Sequence, residues 1–160
     1  MRFSGRIFED GRFWLIEVPV LGVMTQGFSR KEAYFMIADA IESLVNDPDF
    51  SITVFPGQGD YFEIAASSDA TLIAFMLRRE RLRSGLTLLQ VAERLGTKSA
   101  NAYGRYEQGR SMPTIQKLSE LLAAVSSGED FVLNQSRVKA SRAKRRGNTR
   151  HSVEPQTLSK

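Results

Sequence analysis

Apolar and polar positions change period three times along this chain, and each change predicts an element. Residues 2–8 and 13–18 are β-rich runs joined through Glu9-Asp10-Gly11-Arg12. The Asp-Gly pair between them predicts a hairpin turn. In the second run Phe13 and Leu15 share one face while Trp14, Ile16 and Val18 share the other, which predicts a central strand or one covered on both sides. Pro19 has no N–H to donate and ends the ladder. A short third strand over 23–26, closed by Gly27, is expected next. The period then becomes helical: Ala33, Met36, Ile37, Ala40, Ile41 and Leu44 make one apolar face behind Ser29 and Glu32, a capping-box pair. Asn46-Asp47-Pro48 ends this helix, and strand patterns over 51–55 and 61–65 complete an α+β layer with the helix packed on a sheet.

From Ser67-Ser68-Asp69 onward the pattern is helical throughout. Leu72, Phe75, Met76, Arg79 and Leu82 share one face, with Arg79 a departure from a purely apolar stripe. Gly85 breaks that helix, and Thr87 with Gln90 opens the next, which buries Leu88, Val91, Ala92 and Leu95. Gly96 supplies its stop. A polar helix over 99–108 follows, with Tyr106 and either Ala102 or Tyr103 facing inward. Pro113-Thr114 then start a helix bearing Ile115, Leu118, Leu121, Leu122 and Val125. Phe131-Val132-Leu133 is a short strand or a docking segment. The expected organisation is an α+β unit over 1–68, an all-α helix-turn-helix unit over 69–135 and a disordered basic tail over 136–160.

Charge divides along the same line. Residues 1–69 carry 5 Lys/Arg against 11 Asp/Glu, residues 70–136 carry 9 against 6, and residues 137–160 carry 8 against 1. An acidic front and a basic back suit two partners of opposite charge, one of them a polyanion; the alternative is plain solvated surface. Cysteine is absent, which removes disulfides and thiolate metal sites. No long uncharged apolar run is present, and the start Met-Arg-Phe-Ser-Gly-Arg has no signal-peptide core, so a cytosolic protein is expected.

A short helix buttressed from behind and exposing Asn, Ser, Arg and Lys suits a DNA major groove. The residues expected to face DNA are Lys98, Ser99, Asn101 and Arg105, with Thr87 and Arg110 beside them. Asn reads adenine bidentately and Arg reads guanine O6 and N7. Lys98 and Ser99 sit at a helix start, where N–H groups and the macrodipole favour phosphate. Arg105 could instead pair with Glu93 or near Glu107, and Asn101 could merely cap the helix. The cluster 142–150 either tracks phosphates or is a solvated tail.

Two family resemblances sharpen this. Gly85-Leu86-Thr87, Val91-Ala92, Leu95-Gly96, the run Arg105-Tyr106-Glu107-Gln108-Gly109-Arg110 and Pro113-Thr114 resemble the XRE-type (Cro/repressor-like) helix-turn-helix. Leu88 stands where such domains often place Gln, and the stretch from Gly96 to Asn101 is one residue longer than usual. Asp10-Gly11, Phe13-Trp14, Glu17-Val18-Pro19, Leu21-Gly22-Val23, Thr25-Gln26-Gly27, Ser29, Glu32-Ala33 and Asp39-Ala40-Ile41 resemble the N-terminal domain of HicB-family antitoxins. That resemblance implies a partial, catalytically dead RNase H-like sheet with one helix. It also implies neutralisation of a small basic HicA-like toxin, an mRNA-cleaving ribonuclease, and repression of the operon. It implies no cofactor, and a homodimer on palindromic operator DNA is expected. Trp14, Met24, Thr25 and Gln26 are toxin-facing candidates, although core packing is the default for Trp14. A free-standing regulator with a ligand-sensing or oligomerising front is the competing reading. Catalysis is the weakest: Glu9, Asp10, Glu17, Asp39, Glu42 and Glu63 do not converge in the pattern, and the single histidine, His151, lies in the tail.

Overall fold

A computed structural model of the protein describes residues 1–126 together with Phe131, Val132, Asn134, Gln135, Ser136 and Val138. Leu133 and most of the expected tail, including the cluster 142–150, lie outside the described residues. In chain order the elements are β1 (Phe3–Asp10), β2 (Phe13–Val18), a 3-10 turn (Pro19–Leu21), β3 (Val23–Gly27), α1 (Arg30–Val45), β4 (Ile52–Pro56) and β5 (Tyr61–Ala66). They continue as α2 (Asp69–Arg83), α3 (Leu88–Arg94), α4 (Ala100–Glu107) and α5 (Ile115–Val125). Phe131 and Val132 adopt neither helix nor strand.

The strands form one five-stranded sheet of order β3-β2-β1-β5-β4 in which every neighbouring pair is antiparallel. The β1–β2 hairpin turns at Gly11, whose φ of 61° is the left-handed value the Asp-Gly turn requires. Alternation then sorts the side chains. Ile7, Ile16, Val18, Phe62 and Ile64 point to the face that α1 covers and are buried. Phe8, Leu15 and Phe13 point to the opposite face and are half-buried. As its two apolar faces predict, β2 lies inside the sheet between β3 and β1.

Ser29 caps α1 by accepting the Glu32 N–H at 3.2 Å, while Glu32 reaches back to the Phe28 N–H at 2.8 Å. The helix buries Ala33, Ile37 and Ile41 against the sheet, each large aliphatic contributing about 1.5–3 kcal/mol of burial. It rests on β3 so closely that a Cβ on Gly27 would stand 2.5 Å from the Ala33 nitrogen. Leu44, expected on the same face, is about half exposed and lines a cleft with Val45, Phe75 and Arg78 instead. Glu42 accepts the Ile52 N–H at 2.6 Å and ties α1 to the start of β4.

The largest difference from a one-sided stripe is α2. Residues Leu72, Ile73, Ala74, Phe75, Met76 and Leu77 are all buried, so the helix is enclosed rather than amphipathic, whereas Leu82 is exposed. It touches β5 and the 3-10 turn on one side and α4 and α5 on the other. Arg79 is thereby explained: its guanidinium donates to the carbonyls of Leu21 at 3.0 Å and Gly22 at 2.7 Å. Arg83 donates to the Pro19 carbonyl at 3.0 Å. A single buried cluster runs from Ile7 and Ile16 through Leu72 and Leu77 to Val91, Tyr103 and Leu121. The sheet and the helical half therefore share one core.

Candidate nucleic-acid interface

Three successive helices end in the same way, and this repetition sets the geometry of the C-terminal half. Gly85, Gly96 and Gly109 follow α2, α3 and α4 with φ of 66°, 74° and 67°. Each donates its N–H three residues back, and the next residue donates five residues back: Leu86 to Arg81, Thr97 to Ala92 and Arg110 to Arg105. This paired closure is the Schellman motif, which satisfies carbonyls that would otherwise be orphaned and turns the chain sharply. At the other end of α3, Thr87 and Gln90 complete the expected capping box, with Gln90 donating its N–H to Thr87 at 3.2 Å and accepting the Thr87 N–H at 2.8 Å.

The back of α4 is fixed by one aromatic ring and one ion pair. Tyr103 is 1 % exposed and donates its hydroxyl to the Leu77 carbonyl at 3.3 Å. Of the two inward alternatives the structure takes Tyr103; Ala102 is exposed. Burial, reinforced by the nearby Glu107 carboxylate, pushes the Tyr103 phenol far above its ordinary range and keeps it neutral. Glu107 accepts two hydrogen bonds from Arg81, at 2.7 and 2.9 Å, and both side chains are largely buried. Arg81 also donates to the Leu86 carbonyl at 2.9 Å, so one guanidinium joins α2, the α2–α3 turn and α4. Arg94 and Ser84 hold the end of α5 through the carbonyls of Ala124 at 3.0 Å and Val125 at 2.6 Å.

With its back held, α4 presents Asn101, Ala102 and Arg105 outward, Gln108 is exposed at its C-cap, and Lys98 and Ser99 precede it on the exposed side. Asn101 and Arg105 are one turn apart and share a face. Between Lys98 and Arg110 the sole acid is Glu107, and Arg81 neutralises it from behind. The outward side therefore carries three cations and no uncompensated carboxylate. Among the described residues Arg105 has no ion-pair partner, so neither Glu93 nor Glu107 takes it. Asn101 does not cap α4; Ser99 occupies the N-cap position without a side-chain hydrogen bond of its own.

Residues 77–126 match a helix-turn-helix family. The match covers the end of α2 through α5 and includes every residue of the exposed cationic face. No curated protein matches the chain. The helical half is thus a DNA-binding helix-turn-helix of the kind that serves transcription regulation, in agreement with the XRE-type resemblance.

Thr87 lies at the exposed N-terminus of α3, but its hydroxyl is engaged by Gln90. Arg110 is exposed just past α4, at the opposite end from Ser99. Sequence reasoning missed Arg81 as a positioning residue; its signal was an arginine interrupting the α2 pattern. Ile115, expected on the buried face of α5, is 78 % exposed because the helix meets the core only from Leu118 onward.

In the sheet half, Trp14 and Thr25 turn toward the face that α1 covers and are half-buried, Trp14 lying against the core with Arg30 over its ring. Met24 and Gln26 point to the opposite face and are exposed, on an edge strand. Among the described residues no group of three or more His, Asp or Glu is placed to hold a metal ion. No helix among them is long and apolar enough to cross a membrane.

Proposed function

We propose that this chain is an antitoxin and autorepressor, whose helical half binds operator DNA and whose sheet half covers a small basic HicA-like ribonuclease toxin. The observation that carries the DNA half is the outward face of α4, cationic and free of uncompensated acid, within the helix-turn-helix match. Here Asn101 and Arg105 read bases, while Lys98, Ser99, Thr87 and Arg110 meet phosphates. The antitoxin half is supported by the resemblance of residues 10–44 to HicB-family domains and by the excess of acid over base in residues 1–69. The RNase H-like reading of the sheet rests on the same resemblance. Met24 and Gln26 suit partner contact directly, and Trp14 and Thr25 support it from beneath. The repressor acts as a dimer, placing two recognition helices about 34 Å apart on a palindromic site. It works in the cytosol, needs no cofactor and performs no catalysis.

A second reading, a free-standing regulator that senses a small ligand, is favoured by one feature. A cleft of about 370 Å³ lies between the start of β1, the 3-10 turn, α2 and α5, lined by Phe3, Val20, Met76 and Leu118 with Glu80 among them. Co-expression with the small basic protein encoded by a neighbouring frame separates the two. The antitoxin reading expects growth to be rescued and the two chains to co-purify. Rescue failing while the chain still represses its promoter would leave the regulator reading standing alone.

A further inference from the structure

The two edges of the sheet are finished differently. Between β1 and β5 the Ile7 N–H reaches the Asp60 carbonyl at 2.8 Å, which fixes the phase of every ladder. Odd-numbered residues of β1 bond to β5 and even-numbered ones to β2, so in β2 it is Trp14, Ile16 and Val18 that bond to β3. Their partners there are Gly27, Thr25 and Val23. Met24 and Gln26 therefore aim their N–H and C=O groups away from the sheet. Among the described residues none of these backbone groups has a hydrogen-bond partner.

The opposite edge is blunted. Gly57 donates to the Tyr61 carbonyl at 3.0 Å, so odd-numbered residues of β4 face β5 while Ile52, Val54 and Pro56 face outward. Glu42 takes the Ile52 N–H, and Pro56 has none to offer. Proline, charge and covering groups are the devices that stop sheets from pairing edge to edge. Strand β3 has none of them, and residues 19–29 contain no Asp, Glu, Lys or Arg. On either side the edge is already closed, because Glu32 takes the Phe28 N–H at 2.8 Å and Arg79 donates to the Gly22 carbonyl at 2.7 Å. Beside Met24, the Glu17 carboxylate is paired with Arg6 at 2.9 Å.

We propose that β3 pairs antiparallel with β3 of a second copy of this chain, Met24 of each facing Gln26 of the other, so that two sheets become one. Each Met24–Gln26 pair exchanges both N–H···O bonds, and the outward groups of both copies are all used. Thr25 meets Thr25 of the second copy across the two-fold axis, a favourable non-hydrogen-bonded pair at about 4.5 Å between Cα atoms. On the open face Met24, 57 % exposed, lies diagonal to Phe28 of the second copy, 67 % exposed, and packs its thioether on that ring. An uncharged edge meets itself without like-charge repulsion. The contact is isologous and the β4 edges are blunted, so assembly closes at two copies. So small a contact gives a concentration-dependent dimer. The pairing uses the backbone edge of the sheet half and does not rest on the antitoxin reading.

Sedimentation equilibrium of the full chain, with amide exchange by NMR, tests it. The expected result is a monomer–dimer equilibrium in which the Met24 and Gln26 amides are protected at high concentration and exchange freely after dilution. Gln26→Pro removes an outward N–H and no bond to β2; it should weaken the dimer at least about tenfold while Trp14 fluorescence and helical dichroism stay unchanged. Should that variant misfold, charge carries the test. Met24→Lys with Gln26→Lys, and Met24→Glu with Gln26→Glu, should each be monomeric alone and should dimerise when the two chains are mixed. A monomer at every concentration would overturn the proposal. So would a dimer whose Met24 and Gln26 amides exchange freely, since the copies would then meet elsewhere and the operator reading alone would stand. Protection of those amides that needs a different protein would overturn it too.

Discussion

Arg81 and Glu107 carry more of the helix-turn-helix geometry than any residue that would touch DNA. The pair is bidentate and largely buried, so removing one partner strands a charge with little access to water. Arg81→Ala should cost about 3 kcal/mol in urea unfolding, and a loss below about 1 kcal/mol, the range of exposed pairs, would mean the pair is solvated. Glu63 gives a pH dependence of definite sign. Burial alone would raise its carboxyl, but hydrogen bonds from Arg2, Ser136 and Tyr61 and the charge of Arg2 outweigh this and hold it below the ordinary value. A depressed carboxyl contributes stability above its unfolded pKa and loses it as pH falls through the folded value. The acid-induced fall in stability should therefore be shallower in Glu63→Gln than in the parent, and identical acid limbs would contradict the assignment. Neither pairing was legible in sequence, because each joins residues 26 or more positions apart. What spacing did reveal at this scale was local: the caps at Ser29 and Thr87 and the left-handed glycines.

Elements with a complete local grammar were readable almost to the residue. Helix α3 has a capping box at one end and a glycine closure at the other, and both form as the pattern predicts. Gly96 tests that grammar cleanly. A Cβ there meets nothing within 4 Å, so the only penalty of Gly96→Ala is its left-handed backbone at φ 74°. The cost should be roughly 1–2 kcal/mol, seen as a fall of several degrees in Tm; an unchanged Tm would mean that the turn does not depend on this conformation. Where reading failed, a partner outside the element was responsible. The α2 pattern looks one-sided because Arg78, Arg79, Arg81 and Arg83 interrupt it, yet three of these arginines are spent on carbonyls and carboxylates of neighbouring elements. Sequence periodicity records polarity and cannot tell a solvated arginine from one that is hydrogen-bonded into the fold. The order of strands was equally hidden, since alternation fixes which face a side chain takes but not which strand lies beside it.

At the scale of the molecule, one buried cluster crosses from sheet to helices through α2, and the 3-10 turn is clasped by Arg79 and Arg83. A shared core predicts one cooperative transition. Fluorescence of Trp14, which reports the sheet, and far-ultraviolet dichroism, dominated by the helices, should give coincident urea curves; two separated midpoints would show that the halves fold independently. The proposed repressor function depends most on α4 meeting DNA with its outward face. Fluorescence anisotropy on a labelled duplex spanning the promoter of its own gene tests this most directly, with the parent chain compared with Asn101→Ala and Arg105→Ala. Salt-sensitive binding that each substitution weakens by about 1–3 kcal/mol, with relaxed sequence preference, is the predicted result. Equal affinity of all three chains for promoter and scrambled duplex would contradict it.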